Sequence, residues 1–157
     1  MSSDSKMPQN TSENSNGMNY AMFLLNIRLR TEGELRGKMR SKKYEAEIMD
    51  KVILQLKDNH YIDDQKYAEV FLENLKKYKS WGYYGIKKKL MEKRLPMNII
   101  ESVLAEGLSE DEEMEIAQRF LKKNHELGIM NYEGKQKLAQ KLRARGFRGS
   151  VIAKLLF

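Results

Sequence analysis

Apolar residues recur at helical spacing along the chain, in three segments that align with one another without gaps. The segments are ELRGKMRSKKYEAEIMDKVI from Glu34, GIKKKLMEKRLPMNIIESVL from Gly85 and KLAQKLRARGFRGSVIAKLL from Lys137. In the first, Leu35 and Met39 lie four residues apart, which predicts the apolar stripe of a short helix. The apolar doublets at 48–49 and 52–53 predict a second helix after a turn. The other two segments repeat both features.

A further amphipathic segment precedes each of these, and it completes a three-helix unit. The matching stretches are YAMFLL from Tyr20, YAEVFL from Tyr67 and IAQRFL from Ile116. A unit this small has too little core to fold alone, so neighbouring units must share one. The sequence therefore predicts an all-α fold of three tandem three-helix repeats forming an elongated, curved array. The repeats cover residues 20–62, 63–108 and 109–157, after a Ser/Asn-rich N-terminal tail at 1–19 that is predicted to be disordered.

Local signals mark several predicted helix starts. Capping boxes at residues 31–34 (TEGE) and 109–112 (SEDE) open the second helix of repeat one and the first of repeat three. Asp63 occupies the N-cap position of the Tyr67 helix, and Asp64 follows in its first turn. Pro96 can take the first position of the third helix of repeat two.

Composition narrows the function classes. The 157 residues carry a net charge of +7, which favours an anionic partner, although excess lysine also serves solubility alone. The absence of cysteine excludes disulfides and thiolate metal sites, and no stretch approaches the roughly 18 apolar residues of a membrane span. From these two absences we expect a cytoplasmic protein with no membrane attachment. We also find no phosphate-binding loop or catalytic motif, so we expect a protein that is not an enzyme and that holds no cofactor or metal.

Two aligned columns of the repeats are basic. One holds Lys38, Lys89 and Lys141, and the other holds Lys42, Lys93 and Arg145. Within each helix the two positions are four residues apart, so they share one flank beside the apolar pair. They either form a binding stripe or bury their stems and extend their charges into water. Trp81, Tyr83 and Tyr84 beside the lysines likewise either stack on bases or pack the loop against a neighbouring repeat.

The stretch YIDDQKYAEVFLENLKKYKSWGYYGIKKKLMEKRLP resembles the central repeat of RecX, the bacterial regulator of the RecA recombinase. The resembling parts are the apolar-Asp-Asp segment at 61–64, Tyr67-Ala68, the glycine-bounded loop at 82–85 and the basic helix start at 86–90. The resemblance extends over about residues 20 to 157. One departure is that only repeat three keeps glycine in the turn before its third helix, at Gly146, so the helix–turn angles of the other repeats are open to difference.

This resemblance implies a non-enzymatic protein that lies along the groove of the RecA–DNA filament. Such proteins inhibit the ATPase, strand-exchange and co-protease activities of RecA in homologous recombination, DNA repair and the SOS response. We also expect the protein to be a monomer. The alternative is a helical-repeat protein whose main ligand is DNA itself, single- or double-stranded, bound through the basic face. The candidate contact residues for filament or DNA are Lys38, Lys42, Lys87, Lys88, Lys89, Lys93, Arg94, Lys141, Arg143 and Arg145.

Overall fold

A computed structural model describes residues 7–124 and 131–157, and every regular element in those ranges is an α-helix. The helices are α1 (Met7–Ile27), α2 (Glu32–Ser41), α3 (Ala46–Asp58), α4 (Asp64–Tyr78), α5 (Tyr83–Glu92), α6 (Met97–Gly107), α7 (Glu110–Lys123), α8 (Tyr132–Ala144) and α9 (Gly149–Leu156). The all-α prediction is confirmed, and the order gives three helices to each predicted repeat. No helix in the described ranges is both long and apolar enough to cross a bilayer.

Helix α1 begins at Met7, well inside the segment predicted to be a disordered tail, whose residues 1–6 lie outside the described ranges. The difference has a physical reason at Gly17, which is buried. A Cβ built there would lie 3.2 Å from the side chains of both Ile48 and Val52. The Tyr44 hydroxyl also donates to the carbonyl of Asn16 at 3.3 Å. A glycine packed under its neighbours leaves no hydrophobic signal in the sequence, so composition alone misses this contact.

The described chain divides into two compact units. Unit 1 holds the residues up to Tyr67 together with Lys93–Leu95, and unit 2 holds Ala68–Glu92 with Pro96–Phe157. The core of unit 1 is formed by α1, α2 and α3. Its buried side chains are Ala21, Leu24, Leu35, Met39, Ile48, Met49, Val52, Ile53, Leu56 and Ile62. The apolar columns of the first repeat are therefore core positions, as predicted.

In unit 2 the same columns are buried again. The fully or almost fully buried side chains at these positions are Ile86, Leu90, Ile100, Val103, Leu104, Leu138, Leu142, Phe147, Val151 and Ile152. Three predicted core positions, Ile99, Leu155 and Leu156, are only half-buried. The amphipathic pattern thus identifies the buried face correctly and overestimates burial at its edge.

The helix starts follow the predicted caps. Both capping boxes are present, with Thr31 and Ser109 each accepting from the amide three residues on. The Asp63 carboxylate accepts from the amide of Lys66 at 3.0 Å, one residue before α4 begins. Pro96 lies at the N-cap of α6 instead of its first helical position, a shift of one residue.

In each repeat, the turn after the middle helix has one residue in the left-handed backbone conformation, at the same aligned position. Its φ is +66° at Lys43, +57° at Arg94 and +84° at Gly146. The residue after it donates back into the helix, as from Tyr44 to Met39 and from Phe147 to Leu142, both at 3.1 Å. Two of the three repeats therefore place a cationic side chain where left-handed backbone favours glycine.

Candidate functional site

The two basic columns lie at the C-terminal ends of the middle helices. Lys38 and Lys141 lie in the last turns of α2 and α8, and Lys42 and Arg145 are the C-caps of those helices. Lys89 lies in the last turn of α5. Cations stabilise this end of a helix because the carbonyl dipoles leave partial negative charge there. A structural role is thus open to every one of these residues, beside any role in binding.

Four of the candidate residues belong to unit 1. Lys38, Lys42 and Arg94 are exposed and Lys93 is half-buried. The Lys42 ammonium lies 5.8 Å from the centre of the Tyr20 ring, and the Lys93 carbonyl accepts from the Thr31 hydroxyl at 2.6 Å. The turn that carries Lys93 and Arg94 is therefore attached to the N-terminus of α2 through its backbone.

The other six candidates belong to unit 2, where Arg145 is held by internal contacts. Its Nε donates to the carbonyl of Ser80 at 2.8 Å, and its guanidinium lies 3.9 Å from the centre of the Trp81 ring. Lys89 also approaches that ring, at 5.1 Å. By contrast, Lys88, Lys141 and Arg143 are exposed, and Lys87 is half-buried. Arg145 is thus the candidate least able to reach a partner.

The aromatic residues beside the lysines serve packing within unit 2. Trp81 is half-buried, with its ring 3.0 Å from the position of a Cβ on Gly85 and with Arg145 across it. Tyr83 is half-buried beneath the Arg148 guanidinium at 4.6 Å, whereas Tyr84 is 58% exposed. Trp81 and Tyr83 therefore pack within unit 2, and of the three aromatic residues only Tyr84 has an exposed ring on which a base could stack.

One residue escaped the sequence reasoning altogether. Glu113 in α7 is fully buried, and its carboxylate accepts from the backbone amides of Tyr83 at 3.0 Å and Arg148 at 2.9 Å. It also forms an ion pair with the Arg148 side chain. Since Tyr83 begins α5 and Arg148 is the N-cap of α9, one carboxylate satisfies the starts of two helices. In the sequence it directly follows the capping box at residues 109–112.

Asp64 is the equivalent of Glu113 in the repeat alignment, three residues before Tyr67 as Glu113 is before Ile116. Its carboxylate accepts from the amide of Glu32, the first residue of α2, at 2.9 Å. Burial raises the pKa of Asp64 above its usual value, against the opposing effect of that hydrogen bond. An acid at this position therefore caps the middle helix of the repeat before it, rather than serving only the helix that carries it.

In unit 2 the turn after α8 is attached to the start of α5, as the turn at Lys93 is attached to the start of α2 in unit 1. The amide of Gly82 donates to the Arg145 carbonyl at 3.0 Å and that of Tyr84 to the Gly146 carbonyl at 2.8 Å. The approach requires glycine, because a Cβ on Gly82 would lie 2.3 Å from the Phe147 Cα. These bonds hold the turn that carries Arg145 and Gly146 against the start of α5.

The first turn of α7 is acidic, and most of its carboxylates form ion pairs within unit 2. Glu110 pairs with Lys154 and Glu112 with Lys76, each at 2.9 Å. The hydrogen bond from Lys76 lowers the pKa of Glu112. No group of three or more metal-binding side chains occurs among the described residues. The arrangement therefore offers exposed cations on helix ends and, within the described ranges, no metal-binding cluster.

Comparisons with known proteins agree with the fold. A family model described as "RecX, first three-helix domain" matches residues 18–56. The Regulatory protein RecX of Finegoldia magna is 29% identical over 145 residues, which cover 90% of this chain and 71% of the relative. That of Streptococcus agalactiae serotype Ia is 31% identical over 132 residues, covering 83% of this chain and 50% of the relative.

The chain spans about half the length of most of the curated relatives it matches, for example 52% of the Lactococcus lactis subsp. cremoris protein. Among solved structures, that of RecX from Lactobacillus salivarius superposes with a TM-score of 0.81 at 25% identity, covering 92% of this chain and 95% of its own. A second structure, of a regulatory protein RecX, gives a TM-score of 0.79 at 20% identity and supports the fold alone. Sequence relatives and a solved fold that match most of its length thus make the chain similar to RecX proteins.

Proposed function

We propose that this chain is a non-enzymatic regulator that binds the RecA–DNA filament and inhibits RecA recombinase, ATPase and co-protease activities. The observation that carries the proposal is the similarity to proteins named Regulatory protein RecX over 83 to 90% of the chain. The exposed cations at the ends of α2 and α8 supply a means of attachment to an anionic assembly.

The proposed mechanism is electrostatic and steric. Exposed lysines and arginines attract anionic groups, and each contact alone is weak because water and salt screen it. Several contacts made by one chain raise the effective concentration of the rest, so overall affinity exceeds that of any single repeat. A chain bound across successive protomers would then obstruct the changes that accompany ATP hydrolysis.

The test is a titration of RecA ATPase on single-stranded DNA with the purified protein. We expect inhibition by the wild type and weaker inhibition by the double variant Lys38→Glu, Lys42→Glu, because both side chains are exposed. The matched control is Lys122→Glu with Lys123→Glu, which makes the same charge change at exposed positions in α7 outside the candidate set. Equal inhibition by wild type and the Lys38, Lys42 variant would remove those residues from the interface. No inhibition by wild type would refute the proposal.

A second candidate is binding to DNA itself. It is favoured by the C-terminal residues from Lys135 onwards, which include Lys137, Lys141 and Arg143 as exposed cations and contain no acid. DNA as the main ligand predicts equal affinity for bare and RecA-coated strands, and affinity that falls steeply with salt. Preference for the coated strand would instead support the filament as the target.

A further inference from the structure

Helix α1 carries the longest uncharged run of the chain. Residues 14–27 contain no aspartate, glutamate, lysine, arginine or histidine, although 32% of the whole sequence is charged. Each of the helices from α2 to α9 has at least one exposed charged residue. Because a surface that faces water normally mixes charges of both signs, solubility does not explain the composition of α1.

Five of the exposed residues in this run lie on one side of α1. They are spaced three and four residues apart, on the side of the helix opposite the buried Ala21 and Leu24. We use the name α1 neutral stripe for Asn16, Asn19, Phe23, Asn26 and Ile27. The stripe therefore joins amide and apolar side chains along one helix face, with no charged group among them.

The apolar part of the stripe is large for a surface that faces water. Phe23 is 59% exposed and Ile27 is 62% exposed, and the two adjoin because they lie four residues apart. Leu29, just beyond the helix, is 74% exposed. Together these side chains expose on the order of a few hundred Å² of apolar area, the size at which patches mark interaction sites.

We propose that the α1 neutral stripe is the contact surface of a homodimer, in which it packs antiparallel against the same stripe of a second copy. A twofold interface brings each patch against itself, so any charge on it would meet its own sign. Two chains of net charge +7 therefore approach each other most readily where charge is absent. The stripe offers no cation to a polyanion and no acid to a basic surface, which disfavours both as its partner.

The order of residues along the stripe also suits an antiparallel pair. Asn19 lies four residues before Phe23 and Asn26 lies three residues after it. A pair of helices centred on Phe23 thus brings Phe23 against its counterpart and Asn19 close to Asn26 of the other chain. Asparagine amides both donate and accept, so they are complementary to one another. The helix dipoles oppose each other in this orientation, which is the favourable one.

This proposal departs from the monomer expected on sequence grounds, because exposure along α1 cannot be read from the sequence. It is independent of the proposed function. A single helix face is smaller than a standard protein–protein interface, so we expect a weak dimer that dissociates on dilution.

The test is sedimentation velocity of the full chain from low to several hundred micromolar, where the wild-type mass should rise toward that of a dimer. Phe23→Glu should raise the dimer Kd about tenfold or more, because two carboxylates would then face each other. The matched control is Leu54→Glu, the same charge change at a leucine of α3 that is 61% exposed, and it should associate like the wild type. A wild type that stays monomeric throughout, or equal effects of the two variants, would overturn the proposal.

The decisive measurement mixes Phe23→Glu with Phe23→Lys. Each variant alone should stay largely monomeric, whereas an equal mixture should form a heterodimer, because residue 23 of one chain faces residue 23 of the other. A mixture that associates no better than either variant alone would overturn the pairing.

A second measurement holds even where circular dichroism shows that a charged variant has lost helix. The chain has no cysteine, so Phe23→Cys carries a single thiol. Oxidation should link two such chains, and the same treatment should leave Leu54→Cys unlinked, since only the first pair of thiols is within disulfide reach. Equal linking of the two variants, or none at position 23, would contradict the proposed dimer.

Discussion

Glu113 is the fully buried carboxylate of unit 2, and it holds the starts of α5 and α9 together. Replacement by glutamine removes the charge that pairs with Arg148 and leaves a mismatched amide donor beside backbone amides. We predict that Glu113→Gln lowers the free energy of unfolding by about 2–4 kcal/mol, as loss of one partner of a buried pair does. Urea denaturation measures it. Glu112→Gln, at a partly exposed pair with Lys76, should cost less than about 1 kcal/mol, and equal costs would contradict the assignment.

Glu32 links stability to pH in unit 1. Burial alone would raise the pKa of Glu32, but hydrogen bonds from Lys57 and Arg36 outweigh it and hold the pKa below the ordinary 4.5. The unfolded chain therefore binds this proton more readily, so the stabilisation exists above about pH 4.5 and is lost as pH falls through the lower folded pKa.

We therefore predict that Glu32→Gln destabilises the protein near neutral pH and that the difference from wild type shrinks on acidification. Denaturant unfolding at about pH 7 and about pH 3 measures the two differences. Glu47→Gln, at an exposed pair with Lys51, is the control and should change little at either pH. A Glu32→Gln effect that is the same at both values would show that the carboxylate charge is not responsible.

Single residues were the least predictable part of the candidate site. Alignment of the repeats identified the basic columns, because charge and spacing are visible in the sequence. The different fates of Arg145, which lies over Trp81, and Lys141, which is exposed, depend on packing between segments far apart in the chain. The role of Glu113 was hidden for the same reason, since its hydrogen-bond partners are 30 and 35 residues away.

At the level of helices, the two capping boxes have the same local pattern in different surroundings. Thr31 is fully buried, and its hydroxyl also donates to the Lys93 carbonyl at 2.6 Å. Ser109 is exposed, and its hydroxyl serves its own capping box. We predict that Thr31→Ala costs about 2–3 kcal/mol and Ser109→Ala about 1 kcal/mol, because only the first also removes the hydrogen bond to the Lys93 carbonyl.

Chemical denaturation of both alanine variants tests this difference, with Thr31→Ser as the control that keeps the hydroxyl. Similar losses from Thr31→Ala and Ser109→Ala would mean that the bond to Lys93 contributes nothing to stability. The capping boxes were predictable because their signal lies within four residues. The left-handed turns at Lys43 and Arg94 were not, since a cationic residue there gives no sign of the positive φ that the backbone bonds of the turn impose.

For the whole chain, repetition made the fold predictable. Three aligned segments with the same apolar columns can bury them only as helices, and both units bury those columns. The start of α1 was missed because its contacts involve Gly17 and backbone, which hydrophobic periodicity does not register. The identity of the partner could not be predicted from this chain's residues alone. Their net positive charge indicates an anionic partner, and the similarity to RecX proteins suggests which one.

The proposed multivalent contact can be tested by neutralising exposed cations in each unit separately. Lys38→Gln with Lys42→Gln removes two charges from unit 1, and Lys141→Gln with Arg143→Gln removes two from unit 2. If both units contact the filament, each pair raises the concentration needed for half-inhibition of RecA ATPase. In the variant with all four substitutions, that concentration should rise by about the product of the two separate factors, because both sets of contacts belong to one chain. An effect confined to one pair would place the interface on that unit alone, and the other unit's cations would then serve helix ends and solubility.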